Sequence, residues 1–120
     1  MKILVADDEQ LIIDLLSEYL SAAGHEVISA YDAYSLISLV ESDAPELVFM
    51  DINMPGIRDD GRTPAIVIPE ALKHTPVVAI TGNEYKKLLQ MGLPKNIAFL
   101  AKPIDFAQLD AVIAKFTTPS

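Results

Sequence analysis

The chain of 120 residues contains no cysteine, no tryptophan and no long apolar run. Without cysteine it has no disulfide framework, no thiol nucleophile and no thiolate metal site, which excludes thiol redox chemistry. No apolar run approaches the roughly 20 residues that span a bilayer, and three consecutive acids stand at positions 7–9. We therefore expect neither a membrane helix nor a signal peptide. These absences predict a cytoplasmic protein.

Basic side chains are also scarce, since 9 of them oppose 17 acidic ones and leave a net charge of −8. This charge repels polyanions at long range, which argues against nucleic acid or an anionic membrane as the main partner. A cation is a more favourable ligand for this chain than a polyanion. Half of the residues are apolar, and a chain of this length buries roughly two-thirds of its unfolded surface. We expect one domain over residues 1–120, with a frayed end at 117–120.

Short apolar runs alternate five times with amphipathic stretches, which is typical of an α/β protein. The predicted strands cover residues 2–6, 26–30, 46–50, 76–80 and 97–101. The first, third and fourth are almost wholly apolar, as expected of parallel strands covered on both faces. Right-handed crossovers then give a doubly wound five-stranded parallel sheet, whose ligands bind beyond the carboxyl ends of the strands.

Three of the five predicted helices have clear ends. The first ends before Gly24, a good left-handed C-cap, and the second and fifth begin after the N-caps Asp32 and Asp105. Apolar side chains at helical spacing are expected to face the sheet. They are Leu11, Ile12, Leu15, Leu16, Tyr19 and Leu20 in the first helix, Leu36, Ile37 and Val40 in the second, and Phe106, Leu109, Val112, Ile113 and Phe116 in the fifth.

The third helix, within residues 56–73, is poorly defined because it contains two prolines. Pro64 suits the first position of a helix, but Pro69 would then lie in the interior, where it removes a backbone hydrogen bond. We predict a kinked helix. The alternative is an extended stretch at 65–68 followed by a short helix.

Polar side chains follow four of the predicted strands. Asp7 and Asp8 come after the first, Asp51 after the third, Thr81 after the fourth and Lys102 after the fifth. Carboxylates crowded within about 4–6 Å raise one another's pKa unless a cation joins them, and oxygen ligands favour Mg²⁺. A carboxylate can also attack phosphorus. The set predicts phosphoryl transfer with Asp51 as nucleophile, Lys102 as counter-charge and Thr81 as hydroxyl donor.

Four motifs at these strand ends resemble the receiver domain of two-component response regulators, the CheY-like superfamily, over essentially the whole chain. The motifs are LVADDE, VFMDINMPG around Asp51, AITGN around Thr81 and FLAKP around Lys102. The resemblance implies the flavodoxin-like strand order 2-1-3-4-5. It also implies magnesium-dependent phosphorylation of Asp51 by a sensor histidine kinase or a histidine phosphotransfer protein.

Carried over residue by residue, the resemblance makes Asp8, Asp51 and the main-chain carbonyl of Asn53 direct ligands of Mg²⁺. Asp7 would act on the ion through a water molecule. Asp51 is then the phosphoacceptor, and Mg²⁺ is the cofactor of the reaction.

The resemblance also implies a conformational switch. Thr81 and Lys102 would bind the phosphoryl group, Phe99 occupies the aromatic switch position, and Lys102-Pro103 matches a cis peptide bond. The surface formed by the fourth helix, the fifth strand and the fifth helix would then bind a downstream protein target. We expect no nucleic acid or membrane partner for this domain.

Two other functions remain open from the sequence. A haloacid-dehalogenase-like phosphatase also uses a strand-end aspartate and magnesium, but it needs a second acid where this chain has Asn53. A pseudo-receiver would be a phosphorylation-independent binding module, and the complete set of site residues argues against it. We expect no enzyme activity on an external substrate, only self-phosphorylation and autodephosphorylation.

Overall fold

The computed structural model describes residues 1–51, 75–81 and 97–117, without the side chains of Thr81, Ile97 and Thr117. The strands are β1 (Lys2–Ala6), β2 (Glu26–Ala30), β3 (Leu47–Asp51), β4 (Val77–Thr81) and β5 (Ile97–Ala101). The helices in the described ranges are α1 (Gln10–Ala22), α2 (Ala33–Asp43) and α3 (Phe106–Thr117). None of these helices is long and apolar enough to cross a membrane.

The helix α3 is the fifth helix expected from the sequence. The predicted third and fourth helices, with Pro64 and Pro69, lie outside the described residues, so the kink remains a prediction. The frayed end was predicted at 117–120, but Thr117 is the last residue of α3, so the prediction is wrong there. Residues 118–120 lie outside the described ranges.

The five strands form one parallel sheet in the order β2-β1-β3-β4-β5, which confirms the predicted α/β class and topology. In the centre, Leu4 of β1 pairs with Ile28 of β2 on one side and with Val48 of β3 on the other. All five carboxyl ends therefore lie at one edge of the sheet, where the sequence places its polar side chains.

Two strand boundaries predicted from the sequence are wrong by one residue. β3 and β4 each begin and end one residue later than expected, so Asp51 and Thr81 are the last residues of their strands. The reason is that pairing continues beyond the apolar run: Asp51 lies opposite Ile80, and Thr81 lies opposite Ala101. Main-chain hydrogen bonding, and not side-chain polarity, decides where a buried strand ends.

Alternate side chains of each strand face opposite layers of the core. In β1, Ile3 and Val5 pack with α1 and α3, whereas Leu4 and Ala6 pack with α2. Phe49, the largest fully buried side chain, belongs to the first layer. The central strands are thus buried on both faces, which holds their carboxyl ends rigidly in place.

The sheet-facing positions of the helices are only partly as predicted. In α1 the buried residues are Ile13, Leu16 and Leu20, whereas Leu11 and Leu15 are 80% and 38% exposed. The helix is apolar around most of its circumference, so periodicity alone did not identify the inner stripe. In α2, Ala33, Leu36 and Val40 are buried and Ile37 is half-buried.

Phe106 of α3 is 39% exposed, contrary to the prediction that it faces the sheet. Its ring instead stacks on Tyr19 of α1, with 4.4 Å between the ring centroids. The Tyr19 hydroxyl also donates a 2.7 Å hydrogen bond to Asp110. These two contacts join the second half of α1 to the beginning of α3.

The predicted helix ends are confirmed. Asp32 accepts a 2.8 Å hydrogen bond from the Ser35 amide at the start of α2, and Asp105 accepts one of 2.8 Å from the Ala107 amide before α3. Gly24 follows α1 with φ +96°, a conformation that side chains other than glycine rarely adopt.

Candidate functional site

Three aspartates meet at the carboxyl ends of β1 and β3. Asp7 and Asp8 follow β1 directly, and the pairing of Ala6 with Met50 sets Asp7 level with Asp51 on the neighbouring strand. One carboxylate oxygen from each of the three aspartates lies within 4.8 Å of the others. Asp7 and Asp51 are buried, and Asp8 is exposed. The predicted acidic cluster therefore exists, with one member facing solvent.

Asp7 is fixed at its backbone and at one carboxylate oxygen. Its amide donates a 3.1 Å hydrogen bond to the carbonyl of Ala30, and its Oδ1 accepts a 2.9 Å hydrogen bond from the amide of Glu9. Its Oδ2 is buried and, among the described residues, accepts no hydrogen bond. The Lys102 ammonium is the ion-pair partner of this oxygen, at 3.3 Å. A buried carboxylate is unfavourable unless positive charge compensates it, and a metal cation would add to the charge that the lysine supplies.

The pKa of Asp7 reflects this setting. Burial raises it from 3.8 to about 6, because a carboxylate removed from water loses hydration as it ionises. The amide hydrogen bond from Glu9 opposes the shift, and the negative charge of Asp51 adds to it. The cluster thus resists full ionisation, as expected of buried carboxylates that need nearby positive charge to ionise.

Lys102 supplies part of that charge. It follows β5, and its Nζ lies 3.3 Å from Asp7 Oδ2 and 3.5 Å from Asp51 Oδ2. Burial alone lowers the pKa of this ammonium. The hydrogen bond to Glu9, followed by the charge of Asp51, outweighs burial, so the pKa lies above its usual range. The peptide bond between Lys102 and Pro103 is cis, as predicted.

Glu9 is the residue of this region that the sequence analysis did not assign. Its Oε1 accepts a 2.9 Å hydrogen bond from Lys102 Nζ, which is the shortest of the three ammonium contacts. The pair joins residues 93 positions apart, so only the tertiary fold brings them together. A glutamate at the N-cap position, where serine, threonine, aspartate or asparagine is preferred, was the available signal.

The donor set fits a hard divalent cation. The cluster offers only oxygen atoms, and Mg²⁺ binds through one or two carboxylates while it keeps several waters. Asp7 and Asp51 offer buried carboxylates, and Asp8 supplies a carboxylate from the solvent side. The cluster can therefore bind a metal ion.

Three predicted site residues are placed incompletely. Asn53 lies outside the described residues. Thr81 is the last residue of β4, opposite Ala101, and its side chain lies outside the description. Phe99 is half-buried in β5 and pairs with Ala79. The described structure brings together Asp7, Asp8, Asp51 and Lys102, and the roles of Asn53, Thr81 and Phe99 stay predictions.

Comparison with known proteins identifies the family. A family model described as the response regulator receiver domain matches residues 3–114. The receiver domain of NtrX from Brucella abortus is similar in structure, with a TM-score of 0.74 and 33% identity, covering 98% of this chain and 99% of that one. The response regulator CheY4 of Vibrio cholerae shares the fold, with a TM-score of 0.72 at 23% identity, covering 96% of this chain and 97% of that one.

Sequence relatives agree with the structural neighbours. The sensor protein GacS of Pseudomonas syringae pv. syringae is 34% identical over 97% of this chain, and the response regulator PleD of Caulobacter vibrioides is 33% identical over 97%. The chain spans only 13% and 26% of the length of these two proteins. The chain belongs to the response regulator receiver domain family, and it is a receiver domain of two-component signalling.

Proposed function

We propose that this receiver domain accepts a phosphoryl group on Asp51 from a phosphohistidine of a sensor histidine kinase or of a histidine phosphotransfer protein. Mg²⁺ would be held by Asp8, Asp51 and the main-chain carbonyl of Asn53, with Asp7 acting through water. The reaction would take place in the cytoplasm, and the domain would turn over no external substrate.

The observation that carries the proposal is the pair of buried carboxylates, Asp7 and Asp51, that share the single ammonium of Lys102. A fold gains nothing by burying two carboxylates side by side, since each loses hydration and repels the other. The lysine between them carries one positive charge, which it also shares with Glu9. The arrangement makes sense if a divalent cation and a phosphoryl group complete it.

The chemistry required of the chain is a displacement at phosphorus. An oxygen of the Asp51 carboxylate forms a bond to phosphorus while the phosphorus–nitrogen bond of the phosphohistidine breaks. The bonding electron pair stays on the imidazole nitrogen, which takes up a proton. Bound Mg²⁺ would supply charge neutralisation for the phosphoryl oxygens.

Lys102 and Thr81 would bind the transferred group. The Lys102 ammonium already lies 3.5 Å from Asp51 Oδ2, so a short movement brings it to a phosphoryl oxygen. Thr81 ends β4, the strand next to β3, and its backbone lies one residue beyond Ile80, which pairs with Asp51. Both residues are thus attached to the edge where the group would form.

The signal would leave through β5 and α3. Lys102 follows β5 directly, and Phe99 lies within that strand. A displacement of the Lys102 ammonium would therefore alter the surface proposed for β5, α3 and the fourth helix of the sequence prediction. A downstream protein would bind this surface. Switches of this kind convert a local charge change into a choice between two packing states.

The test is phosphorylation by acetyl phosphate followed by intact mass measurement, with and without Mg²⁺. We expect one added phosphoryl group on the wild type only with Mg²⁺, and none on Asp51→Asn. Asp43→Asn, at the opposite end of the sheet, serves as the matched control and should label as the wild type does. Labelling of Asp51→Asn would overturn the proposal. Release of free phosphate from a phosphoester, without a labelled protein, would favour the phosphatase alternative.

A further inference from the structure

The helix α1 begins with a residue that does not cap it. Glu9 occupies the N-cap position in an extended conformation, with φ −95° and ψ 114°, and its side chain accepts no hydrogen bond from the first turn. Short polar side chains are favoured at this position because they fold back onto the free amides. In this chain the carboxylate of the N-cap residue is directed elsewhere.

That carboxylate binds Lys102. The distance from Glu9 Oε1 to Lys102 Nζ is 2.9 Å, compared with 3.3 Å to Asp7 Oδ2 and 3.5 Å to Asp51 Oδ2. An ammonium is a compact charge with three donors, so it can bind all three carboxylates at once. In the resting domain Glu9 makes the shortest contact with Lys102, and Asp51 makes the longest.

We propose that Glu9 is a positioning residue that shares the Lys102 ammonium with Asp7 and Asp51 in the resting domain and releases it when a tetrahedral anion occupies Asp51. The inference rests on the proposed function, because the anion is the phosphoryl group of that reaction. Lys102 would then donate to a phosphoryl oxygen in place of the Glu9 carboxylate, so the ion pair exists in one state only.

The exposure of Glu9 sets the size of the effect. Its side chain is 59% exposed, so the released carboxylate becomes hydrated and little energy is lost. An exposed ion pair of this kind changes an equilibrium by roughly 2- to 5-fold. Glu9 should thus lower the affinity of the site for a phosphoryl group by this factor, without preventing phosphorylation.

Two variants distinguish the effect of the ion pair between Glu9 and Lys102 from repulsion between the Glu9 carboxylate and the bound anion. Glu9→Gln removes the charge and keeps the length of the side chain. Glu9→Asp keeps the charge, but its shorter side chain favours capping of α1 over reaching Lys102. If the ion pair is what matters, both variants bind the anion more tightly than the wild type. Glu18→Gln, an exposed change on the same helix, is the control for the loss of one charge.

The affinity is measured by titration with beryllofluoride, a tetrahedral mimic of the phosphoryl group, in the presence of Mg²⁺. We expect roughly 2- to 5-fold tighter binding for Glu9→Gln and Glu9→Asp, and no change for Glu18→Gln. In a Lys102→Met background, Glu9→Asp should have no further effect. Tighter binding by Glu9→Gln alone, or equal affinities for all four proteins, would overturn the inference.

The ¹⁵N resonance of the Lys102 side chain supplies a readout that a structural role of Glu9 would not produce. In the resting domain it should differ between wild type and Glu9→Gln, and in the beryllofluoride complex the two should coincide. A difference that persists in the complex would contradict the release of Lys102. A wild type that binds no beryllofluoride would overturn the proposed function itself, and the inference with it.

Discussion

The two ends of the sheet carry similar charges in opposite settings. At the amino ends of the strands, one lysine and three acidic residues line an open cleft of about 440 Å³: Lys2, Glu26, Asp43 and Glu46. At the carboxyl ends, one lysine lies among the three aspartates of the candidate site and Glu9: Lys102, Asp7, Asp8, Asp51 and Glu9. Both ends thus combine a single lysine side chain with an excess of acidic side chains.

The groups at the amino end are partly or mostly exposed to water. Lys2 Nζ lies 3.9 Å from Glu26 Oε2, and the two side chains are 29% and 69% exposed. The same ammonium donates a 3.1 Å hydrogen bond to the main-chain oxygen of Asp43. Water screens such pairs, so each contributes at most about 1 kcal/mol.

The carboxyl end differs in burial. Asp7 and Asp51 are almost inaccessible to solvent, and the pKa of Asp7 is raised as a result. Among the described residues, the aspartates of this end are the group whose oxygens lie close enough to share a metal ion. The comparison teaches that a functional cluster is recognised by carboxylates that are buried close together.

The largest expected effect is on binding of Mg²⁺. Asp7 would act on the ion through water, so Asp7→Asn should weaken Mg²⁺ binding by about 10–100-fold. Asp8 would be a direct ligand, so Asp8→Asn should weaken binding further. Asp43→Asn at the amino end should leave it unchanged. Titration followed by backbone amide resonances measures all three. If wild type and Asp8→Asn bound Mg²⁺ with equal affinity, the claim that the ion binds at the carboxyl ends of the strands would be contradicted.

The second effect is a pH dependence of folding without metal. The pKa of Asp7 is about 6 in the folded chain and 3.8 as its ordinary value, so the folded state binds the proton more tightly than the unfolded state. The contribution of Asp7 to stability is therefore fully present below pH 3.8 and is lost as the pH rises to about 6. The loss amounts to at most about 3 kcal/mol.

Urea unfolding between pH 4 and 7 measures this loss. We expect Mg²⁺ to reduce it, because the ion compensates the ionised carboxylate, and we expect Asp7→Asn to lack it. Asp43→Asn is the matched control and should keep the pH dependence of the wild type. A profile of Asp7→Asn that matches the wild type would assign the effect to another group.

The third effect concerns Lys102. Lys102→Ala should weaken beryllofluoride binding by about 10- to 150-fold, since a hydrogen bond to a charged group contributes about 1.5–3 kcal/mol. The variant should also lose the amide shift changes in β5 and α3 that accompany binding in the wild type. Lys115→Ala in the last turn of α3 provides a control for the lost charge. Equal shift changes in Lys102→Ala and wild type would refute the coupling.

The smallest effect is expected at the amino end. Glu26→Gln should change the free energy of unfolding by less than about 1 kcal/mol, because its partner Lys2 and the glutamate itself remain hydrated. Neither Mg²⁺ nor beryllofluoride should alter this difference. If urea unfolding showed that Glu26→Gln changes the free energy of unfolding by several kcal/mol, the difference in solvent exposure would not explain how the two ends of the sheet differ.

The fold could be predicted because the strands are buried on both faces and so consist of apolar runs with clear limits. The errors have physical causes. Leu11 and Phe106 were expected to face the sheet, but both are exposed, since α1 offers more than one apolar stripe and Phe106 finds a partner in Tyr19. A helical period does not say which of two stripes is covered.

The candidate site was predictable to the extent that its residues follow strands. The position of Asp7, Asp8 and Asp51 at one edge follows from parallel connectivity alone. The contact between Glu9 and Lys102 does not, because it depends on the direction of two long side chains on separate loops. Nor did the sequence distinguish the buried Asp7 from the exposed Asp8, which differ in burial and not in spacing.

The most direct test of the account is the identity of the phosphorylated residue. Borohydride reduces an aspartyl phosphate to homoserine, so treatment after acetyl phosphate and Mg²⁺ marks the acceptor in the peptide mass spectrum. We predict homoserine at position 51 alone, and none when Mg²⁺ is omitted. Homoserine at Asp7 or Asp8, or equal reduction at Asp43 in the amino-end cleft, would contradict the account.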